Sequence, residues 1–511
     1  MLTLVTALVL TLACSRSDDA ERTDSVVISG AEATARSTNK STTAAERARD
    51  SRPSVILVVL DTLRADAVSA YGEVEGTTPE IDRLAEQGVR YARAFAPAPW
   101  TAASHASLFT GLRVDEHGVG LDGVVVTPES MQMMAEDFQE AGYVTAGLAA
   151  NAMLHDDFGF SQGFDLYGAP SLVANVKMVK SGQTPPPFGL LDRLTSWNRE
   201  RDHSRPYFLF VNLFEAHDPY EVRDVNPWIP EDVPRSELDY VQSAYTVSEA
   251  LCDSLPTARH LELLHGLYLG DVAAADAKLA EVLRIMGARD EASPPIVVVT
   301  SDHGEHLGEN RLMGHRFSVR HAALRIPLVV TGLPDLRPAV IERPVELRDL
   351  HASLRCWALG DACEGALPLE SGSSELAEAE SRPIFSLYSD SVTSVPDFVR
   401  EGLGIAKEDE PPMLARDGCQ PNDPVYGEMV SLIRYPYKMT WFSDHEPVLH
   451  DLSWDPVEQS DQLERQPERA AKLREELDAF VEANVTNRES AGPSELTEEA
   501  LRTLESLGYV E

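Results

Sequence analysis

Two continuous Val/Ile/Leu runs in this sequence break off into residues that bind cations. "VILVVL" (55–60) stops at Asp61, and "IVVVT" (296–300) stops just before Ser301, Asp302 and His303. Such runs suit strands buried on both faces of a parallel sheet. In doubly wound sheets, ligands collect beyond the carboxyl ends of the strands. Two carboxylates and an imidazole at two strand ends can therefore converge on one divalent metal, a mixed oxygen and nitrogen donor set that such ions accept. Taken alone, Asp61 has a plainer reading as the cap of a following helix. His306 reads as a loop or supporting residue.

The stretch "TAASHASLFTG" has no helix breaker before Gly111, so it predicts a helix that begins at Thr101. An ordinary Thr N-cap would explain that residue locally. The same place also sets a hydroxyl at the positive end of a helix. Next to a cation, such a hydroxyl can ionise and attack an electropositive centre. His105 lies one turn further on and faces the same side, where it contacts a substrate oxygen or the nucleophile, or simply packs. His217, in "FVNLFEAHDPY", follows another apolar strand, and Asp218-Pro219 turns the chain at once. His315, in "RLMGHRF", lies in the loop after the metal pair. For both, a solvated loop histidine is the plain alternative. His321 receives no role.

These residues sit in a chain of 511, with 43% hydrophobic and 25% charged residues, a composition that supports a sizeable core. The formal net charge is −39. That excludes general nucleic-acid binding, which needs a basic surface. It also requires any anion site to be made positive locally, by a metal, histidines or a helix N-terminus. The start, "MLTLVTALVLTLACSRSDD", has an apolar run too short to span a bilayer and ends in small residues before Cys14. It resembles a bacterial lipoprotein signal, although no Lys or Arg precedes the apolar run and Thr11 departs from the usual pattern. The expectation is an exported chain, lipid-anchored at Cys14 and facing the periplasm or cell exterior. Residues 15–52 are rich in Ser, Thr, Ala, Asp and Arg and read as a flexible tether. Cys252, Cys356, Cys363 and Cys419 allow three disulfide pairings, and Cys356 with Cys363 could close a short loop. Oligomeric state has no signature in the sequence.

The elements that must position the site alternate. After the first apolar run come "TTPEIDRLAEQGV", a helix with Pro near its start and Gly at its end, then the strands "YVTAGLAA", "PYFLFVNLF", "PPIVVVTSD" and "IPLVVTG". Strands alternating with helices indicate an α/β fold. The stretches around 170–205 and 220–260 look like loops or insertions. Beyond about residue 340, "EMVSLIRYPYKMTWF" and "VLHDLSWDPVEQSD" predict antiparallel strands, "PERAAKLREELDAFVEANV" an amphipathic helix, and "ELTEEALRTLESLGYVE" a short docked helix. The expected organisation is a signal over 1–14, a tether over 15–52, a catalytic domain over 53–340, and a C-terminal part over 341–511 that completes the sheet and forms a small antiparallel subdomain.

Together these stretches resemble the sulfatase family of the alkaline phosphatase superfamily. "VILVVLDTLRADAVSAYG" is similar to the family's opening metal strand, and "TAASHASLFTG" to its C/S-x-P-x-R-x-x-x-L-T-G signature. "GFSQGFD", "EAHDPY", "TSDHGEHLGE", "IPLVV" and "HDLSWDPVEQSD" follow in family order. The resemblance implies a doubly wound mixed sheet of alkaline-phosphatase type with a small C-terminal α+β subdomain. It also exposes departures. The position converted to formylglycine in typical sulfatases is Thr101, which cannot yield that aldehyde, so no formylglycine is expected. The signature Pro and Arg are Ala103 and His105. The usual aspartate pair of the first strand is Asp61 and Thr62. Thr is the nucleophile of several phosphoryl-transfer members of the superfamily.

The resulting expectation is a metal-dependent hydrolase of sulfate or phosphate esters acting on an anionic ester substrate, with phosphate mono- or diesters or phosphonates favoured. Asp61, Thr101, Asp302 and His303 would bind one divalent cation. Mn, Zn or Fe is favoured over Ca or Mg by the nitrogen ligand and the missing carboxylate. Thr101 would attack, with His105, His217 and His315 serving the substrate oxygens or the leaving group. Two alternatives stay open. One is a two-metal phosphatase using Glu215 and His217, and the other a non-catalytic anion-binding lipoprotein.

Overall fold

The structure is a computed structural model and describes residues 52–121, 126–171, 178, 186–245, 257–288, 294–315, 318–370, 382–389 and 427–486. The expected signal, the tether up to residue 51, Cys14, Cys252, Cys419 and the expected helix at the extreme C-terminus lie outside the described residues. Among the described residues no helix is long and apolar enough to cross a membrane.

The apolar runs form the middle of a mixed eight-stranded sheet. In chain order its strands are β1 (Val55–Leu60), β2 (Val89–Tyr91), β3 (Val144–Ala149), β4 (Leu166–Gly168), β5 (Tyr207–Leu213), β6 (Ile296–Thr300), β7 (Leu328–Thr331) and β8 (Ala339–Ile341). Their order across the sheet is β8-β2-β7-β6-β1-β5-β3-β4. β6, β1, β5, β3 and β4 run parallel, and β7 runs against its neighbours. This is the doubly wound mixed sheet that the sequence implies.

Period-two alternation divides the core. Val55, Leu57 and Val59 of β1 join Phe208, Phe210, Ile296 and Val298 on one face. They pack against Ala102, Ala103, Ala106 and Phe109 of helix α2 (Thr101–Thr110). Ile56, Val58 and Leu60 face the other way with Leu209, Val211, Val297 and Val299. That face is covered by Ile81 and Leu84 of α1 (Pro79–Gln87), by α3 (Leu190–Glu200), and by α5 (Ala258–Met286). Continuing the alternation past the strand ends puts Asp61, Asn212 and Asp302 on the α2 face.

The stretches read as loops or insertions contain α3 and α4 (Arg235–Tyr245). In α3, Leu190, Leu194 and Trp197 are buried at helical spacing, an amphipathic stripe that charged neighbours obscure in the sequence. Position 340 lies within β8 at the edge of the large sheet, and the chain stays with the main body through Val345–Glu346, which pairs with Ala94–Phe95.

The C-terminal sheet is antiparallel, in the order β9 (Ile384–Tyr388), β10 (Met429–Arg434), β11 (Tyr437–Phe442) and β12 (Val448–Asp451). Helix α6 (Pro467–Val481) covers it, with Phe480 stacked on Phe385 at 3.8 Å. Among the links between this small α+β unit and the main body, two lie near the site. Ser386 Oγ donates to Ala96 O at 2.7 Å, and Leu387 N donates to Pro97 O at 2.9 Å. Glu458 receives Lys438 Nζ at 2.7 Å and His321 N at 2.6 Å, while its own carbonyl receives Arg320 at 2.6 Å. Lys438 and Glu458 are both buried. Cys356 and Cys363 form a disulfide, one of the open pairings.

Candidate active site

Neighbouring strands β6, β1, β5 and β3 deliver Asp302 and His303, Asp61, His217 and Asn151 beyond their carboxyl ends. One oxygen each of Asp61 and Asp302, with a nitrogen of His303, lie within 4.8 Å of one another, and all three residues are buried. Asp61 does not cap a helix. Its Oδ2 accepts the side-chain amides of Asn151 and Asn212, both at 2.9 Å, and its buried Oδ1 has no hydrogen-bond partner. Asp302 Oδ1 accepts the backbone N–H of His303 at 3.0 Å and of Thr62 at 3.2 Å, and its buried Oδ2 likewise has none.

Two buried, unpaired carboxylate oxygens facing a histidine call for a cation, because uncompensated buried charge is costly. Burial is the main force raising both carboxyls, each to about 6, and at Asp61 the neighbouring Asp302 adds to it. A dication would relieve both effects. The residues therefore fit the divalent metal that sulfatase-family enzymes use.

The histidine tautomer agrees. His303 Nδ1 donates to Gly304 O at 2.9 Å, and a carbonyl can only accept. The neutral ring then presents the lone pair of Nε2, which lies 3.4 Å from Asp302 Oδ2 and 3.5 Å from Thr101 Oγ1. Burial lowers the pKa of His303 to about 4, which keeps it neutral and ready to ligate.

Thr101 is the first residue of α2. The N-cap is Trp100, with extended φ −150° and ψ 134°, so the Thr hydroxyl is not used for capping. It points instead toward His303 Nε2 and accepts from Asn151 Nδ2 at 3.3 Å. Thr101 thus joins the carboxylates and His303, as its sequence position suggested.

The other histidines separate. His217 and His315 border the cluster, with His315 4.4 Å from the His303 ring and 5.3 Å from that of His217. His315 Nδ1 donates to Pro99 O at 3.0 Å. His217 Nδ1 meets Asp218 O at 2.7 Å and Asp218 Oδ1 at 2.8 Å. Burial pulls the His217 pKa down, but the Asp218 carboxylate and more distant Asp61 and Glu305 outweigh it, pushing it up to about 10. The Asp218 carboxylate therefore favours the protonated ring.

His105 has a different setting from the one expected. It is fully buried behind Asp302, its Nδ1 spent on Thr101 O at 2.9 Å, with Phe109, Phe160 and Phe210 around its ring. Burial lowers its pKa to about 3. Its Nδ1 also lies 3.6 Å from Asp302 Oδ2, so the ring packs against the metal-site carboxylate and the aromatic core together. His306 is buried as well, in the short strand His306–Leu307.

Glu215 pairs with Lys278 and joins no metal cluster among the described residues. His155, Asp156 and Asp157 form another grouping, but their own ion pairs account for it.

Sequence reasoning missed Asn151, Asn212 and the use made of Thr62. Asn212 was marked by being the one amide in an otherwise apolar, fully buried strand, and Asn151 by lying just past a strand end. Thr62 adopts a left-handed φ of 54°. Its N–H holds Asp302, its carbonyl accepts Tyr268 OH at 3.0 Å, and its hydroxyl donates to Ala216 O at 3.0 Å. Where the family pattern has a second carboxylate, this chain ties the metal strand to the His217 loop.

Strand-end carboxylates, a neutral histidine and a hydroxyl at the head of a helix suit a metal-dependent hydrolase of sulfuric or phosphoric ester bonds, the class to which the relatives belong. A family model described as Sulfatase matches residues 53–360, and the chain belongs to that family, within the alkaline phosphatase superfamily. It is 23% identical over 373 residues to an arylsulfatase of Clostridium perfringens, covering 61% of this chain and 77% of that protein. It is 22% identical over 393 residues to the multifunctional alkaline phosphatase superfamily protein PehA of Trinickia caryophylli, covering 61% and 76%. A phosphonate monoester hydrolase of Agrobacterium radiobacter shares the fold, with TM-score 0.60, 19% identity, and 85% and 96% of the two chains covered.

Proposed function

We propose that this hydrolase cleaves phosphate mono- or diesters or phosphonate esters, with unmodified Thr101 as nucleophile. The observation that carries this reading is the position of Thr101 Oγ1. It stands free of capping at the head of α2, 3.5 Å from His303 Nε2, and shares the Asn151 amide with Asp61. Asp61, Asp302, His303 and Thr101 would hold one divalent cation, and the oxygen–nitrogen set favours Mn, Zn or Fe. That ion supplies charge neutralisation for a substrate oxygen and for the ionised hydroxyl.

The chain's own residues do the rest. Thr101 releases its hydroxyl proton to solvent, Oγ1 forms a bond to phosphorus, and the ester oxygen leaves with its bonding pair; solvent later returns the proton that His217 gives up. His217 stands as a proton source for that oxygen, and its Nε2 is not occupied by Asp218. His315 lies beside it to receive a non-bridging oxygen. Water then attacks phosphorus, and Oγ1 departs and regains a proton. The likeness to a phosphonate monoester hydrolase fold supports this reading. The arylsulfatase relative keeps sulfate esters within the panel to be tried. The lipoprotein-like stretch before Cys14 supports the further proposal that the enzyme works outside the cytoplasm on a lipid anchor at that residue.

A purified-enzyme panel of aryl sulfate, phosphate monoester, phosphate diester and phosphonate, with Mn, Zn, Fe, Ca and Mg, tests the reading. Phosphoryl substrates should turn over, and Thr101→Ala should lower kcat/KM by about 10⁴-fold or more. Turnover of sulfate alone, or a Thr101→Ala variant as active as the parent, overturns it. Intact-mass analysis of the Thr101 peptide should show plain threonine.

A further inference from the structure

Asn151 has a place in the site that the four proposed ligands and the histidines do not explain. It follows β3, is only 5% exposed, and has all its polar groups assigned. Its Oδ1 accepts Met153 N at 2.8 Å, which makes it the cap of the turn Ala152–Leu154. Its backbone N–H donates to Asn212 Oδ1 at 3.0 Å. Both contacts fix amide orientation, since an oxygen that accepts from N–H leaves the –NH2 end pointing the other way. The Asn151 –NH2 has two hydrogens and meets two acceptors, Asp61 Oδ2 at 2.9 Å and Thr101 Oγ1 at 3.3 Å. Asn212, oriented by Asn151, sends its own –NH2 to the same Asp61 oxygen at 2.9 Å.

We infer that Asn151 is a catalytic residue of this site, an amide that selects which oxygen of Asp61 is left for the metal and that donates to Thr101 Oγ1 through both halves of the reaction. The inference deepens the reading of Thr101 as nucleophile and rests on it. Two amides saturate Asp61 Oδ2, so Oδ1 is the oxygen without a partner. The same donor makes Thr101 Oγ1 an acceptor, so the hydroxyl proton must point elsewhere and a lone pair is held in the site. In the first half, Oγ1 gains a bond to phosphorus and the ester oxygen leaves. In the second, the Oγ1–phosphorus bond breaks as water adds, and Oγ1 departs with the electron pair. A departing oxygen benefits most from a fixed donor. Asn151 therefore acts chiefly on breakdown of the covalent intermediate, and with a good leaving group that step limits the rate.

The test uses Asn151→Ser, which keeps an oxygen able to cap the turn but lacks the amide donors. Asn151→Asp is the second variant, of the same size and also a good cap, with no donor. Both are compared with the parent chain by thermal unfolding, Mn²⁺ titration, and acid quench with an activated aryl phosphate or phosphonate followed by mass analysis of the Thr101 peptide. The expected result for Asn151→Ser is a fold of near-parent Tm that binds Mn²⁺ about 10–100-fold more weakly, as loss of a ligand-orienting partner does; Asn151→Asp, which adds a carboxylate beside Asp61, is read by its adduct level. At steady state kcat should fall about 100-fold, with the Thr101 adduct accumulating above the parent level. A structural role alone would lower active enzyme without raising the adduct. Unchanged Mn²⁺ affinity together with unchanged adduct level in both variants overturns the inference. If the parent turns over no ester, the hydrolase reading fails by itself. The titration then still decides the hold on Asp61: weaker Mn²⁺ binding upholds it, and equal binding removes it.

Discussion

The hydroxyl of Ser104 donates to the backbone carbonyl of Asp302 at 2.6 Å. It fastens the helix that carries Thr101 to the loop that carries the proposed metal pair. Both residues are fully buried, so the bond has no water to replace it. Ser104→Ala should lower stability by about 1–3 kcal/mol, the cost of a buried acceptor left unpaired. It should also lower kcat more than it raises KM, because the Thr101–His303 spacing loosens. Urea unfolding and steady-state kinetics check this. A variant with full stability and reduced kcat would show that the bond aligns without supporting the fold.

Leaving-group dependence separates the histidines. His217, as proton donor, should matter most when the departing oxygen is a poor leaving group. His217→Ala should therefore lose about 10²–10⁴-fold on an alkyl ester and much less on a nitrophenyl ester. His105→Phe should keep the same leaving-group dependence as the parent, since its ring already lies among Phe109, Phe160 and Phe210. Equal slopes for all three proteins would remove His217 as the acid.

Without metal, acid should stabilise the fold. Asp61 and Asp302 have folded pKa values of about 6 against an ordinary 3.8. Between those values the native protein holds protons that the unfolded chain has released, so unfolding sheds protons and stability falls as pH rises. Chelated protein should lose Tm from about pH 4 to pH 6 through this source, and Asp61→Asn should flatten that slope. Adding Mn²⁺ at pH 7 should recover the loss. A chelated Tm with the same slope in parent and variant would show that the pair carries no such strain.

The Glu458–Lys438 pair anchors the C-terminal sheet. Glu458→Gln leaves a buried ammonium without its partner and should cost about 3–5 kcal/mol. Replacing both, as Glu458→Gln with Lys438→Met, should recover part of that. Denaturant titration of the single and double variants decides it, and additive losses would mean that the two do not interact.

The strands of the large sheet were legible because burial on both faces leaves unbroken Val/Ile/Leu runs, and the strand-end rule led directly to Asp61, Asp302 and His303. Thr101 was legible locally as a helix start, and as a nucleophile only beside the two strand-end motifs and the family resemblance. Its freedom from capping depends on Trp100, whose backbone conformation no local pattern displays. His105 and Thr101 share a helical face, yet that face turns partly toward the aromatic core beneath Asp302, so spacing could not separate a reacting group from a supporting one. Asn151 and Asn212 went unread because an amide at a strand end has many ordinary uses. The alternation that puts Asn212 on the Asp61 face was available, but nothing local showed that the two meet. The charged stripe of α3 hid its apolar one.

The two grips of the C-terminal unit bear on the order in which the enzyme becomes competent. β9 holds Ala96 and Pro97, a few residues before Thr101, and Glu458 holds Arg320 and His321, just beyond His315. A chain grown or clipped only as far as the large sheet already contains every proposed ligand and acid. It still lacks the clamps on the segments that bear Thr101 and His315, which come from β9 and from Glu458 further along the chain. Those segments gain these fastenings only when the C-terminal unit folds back against the large sheet.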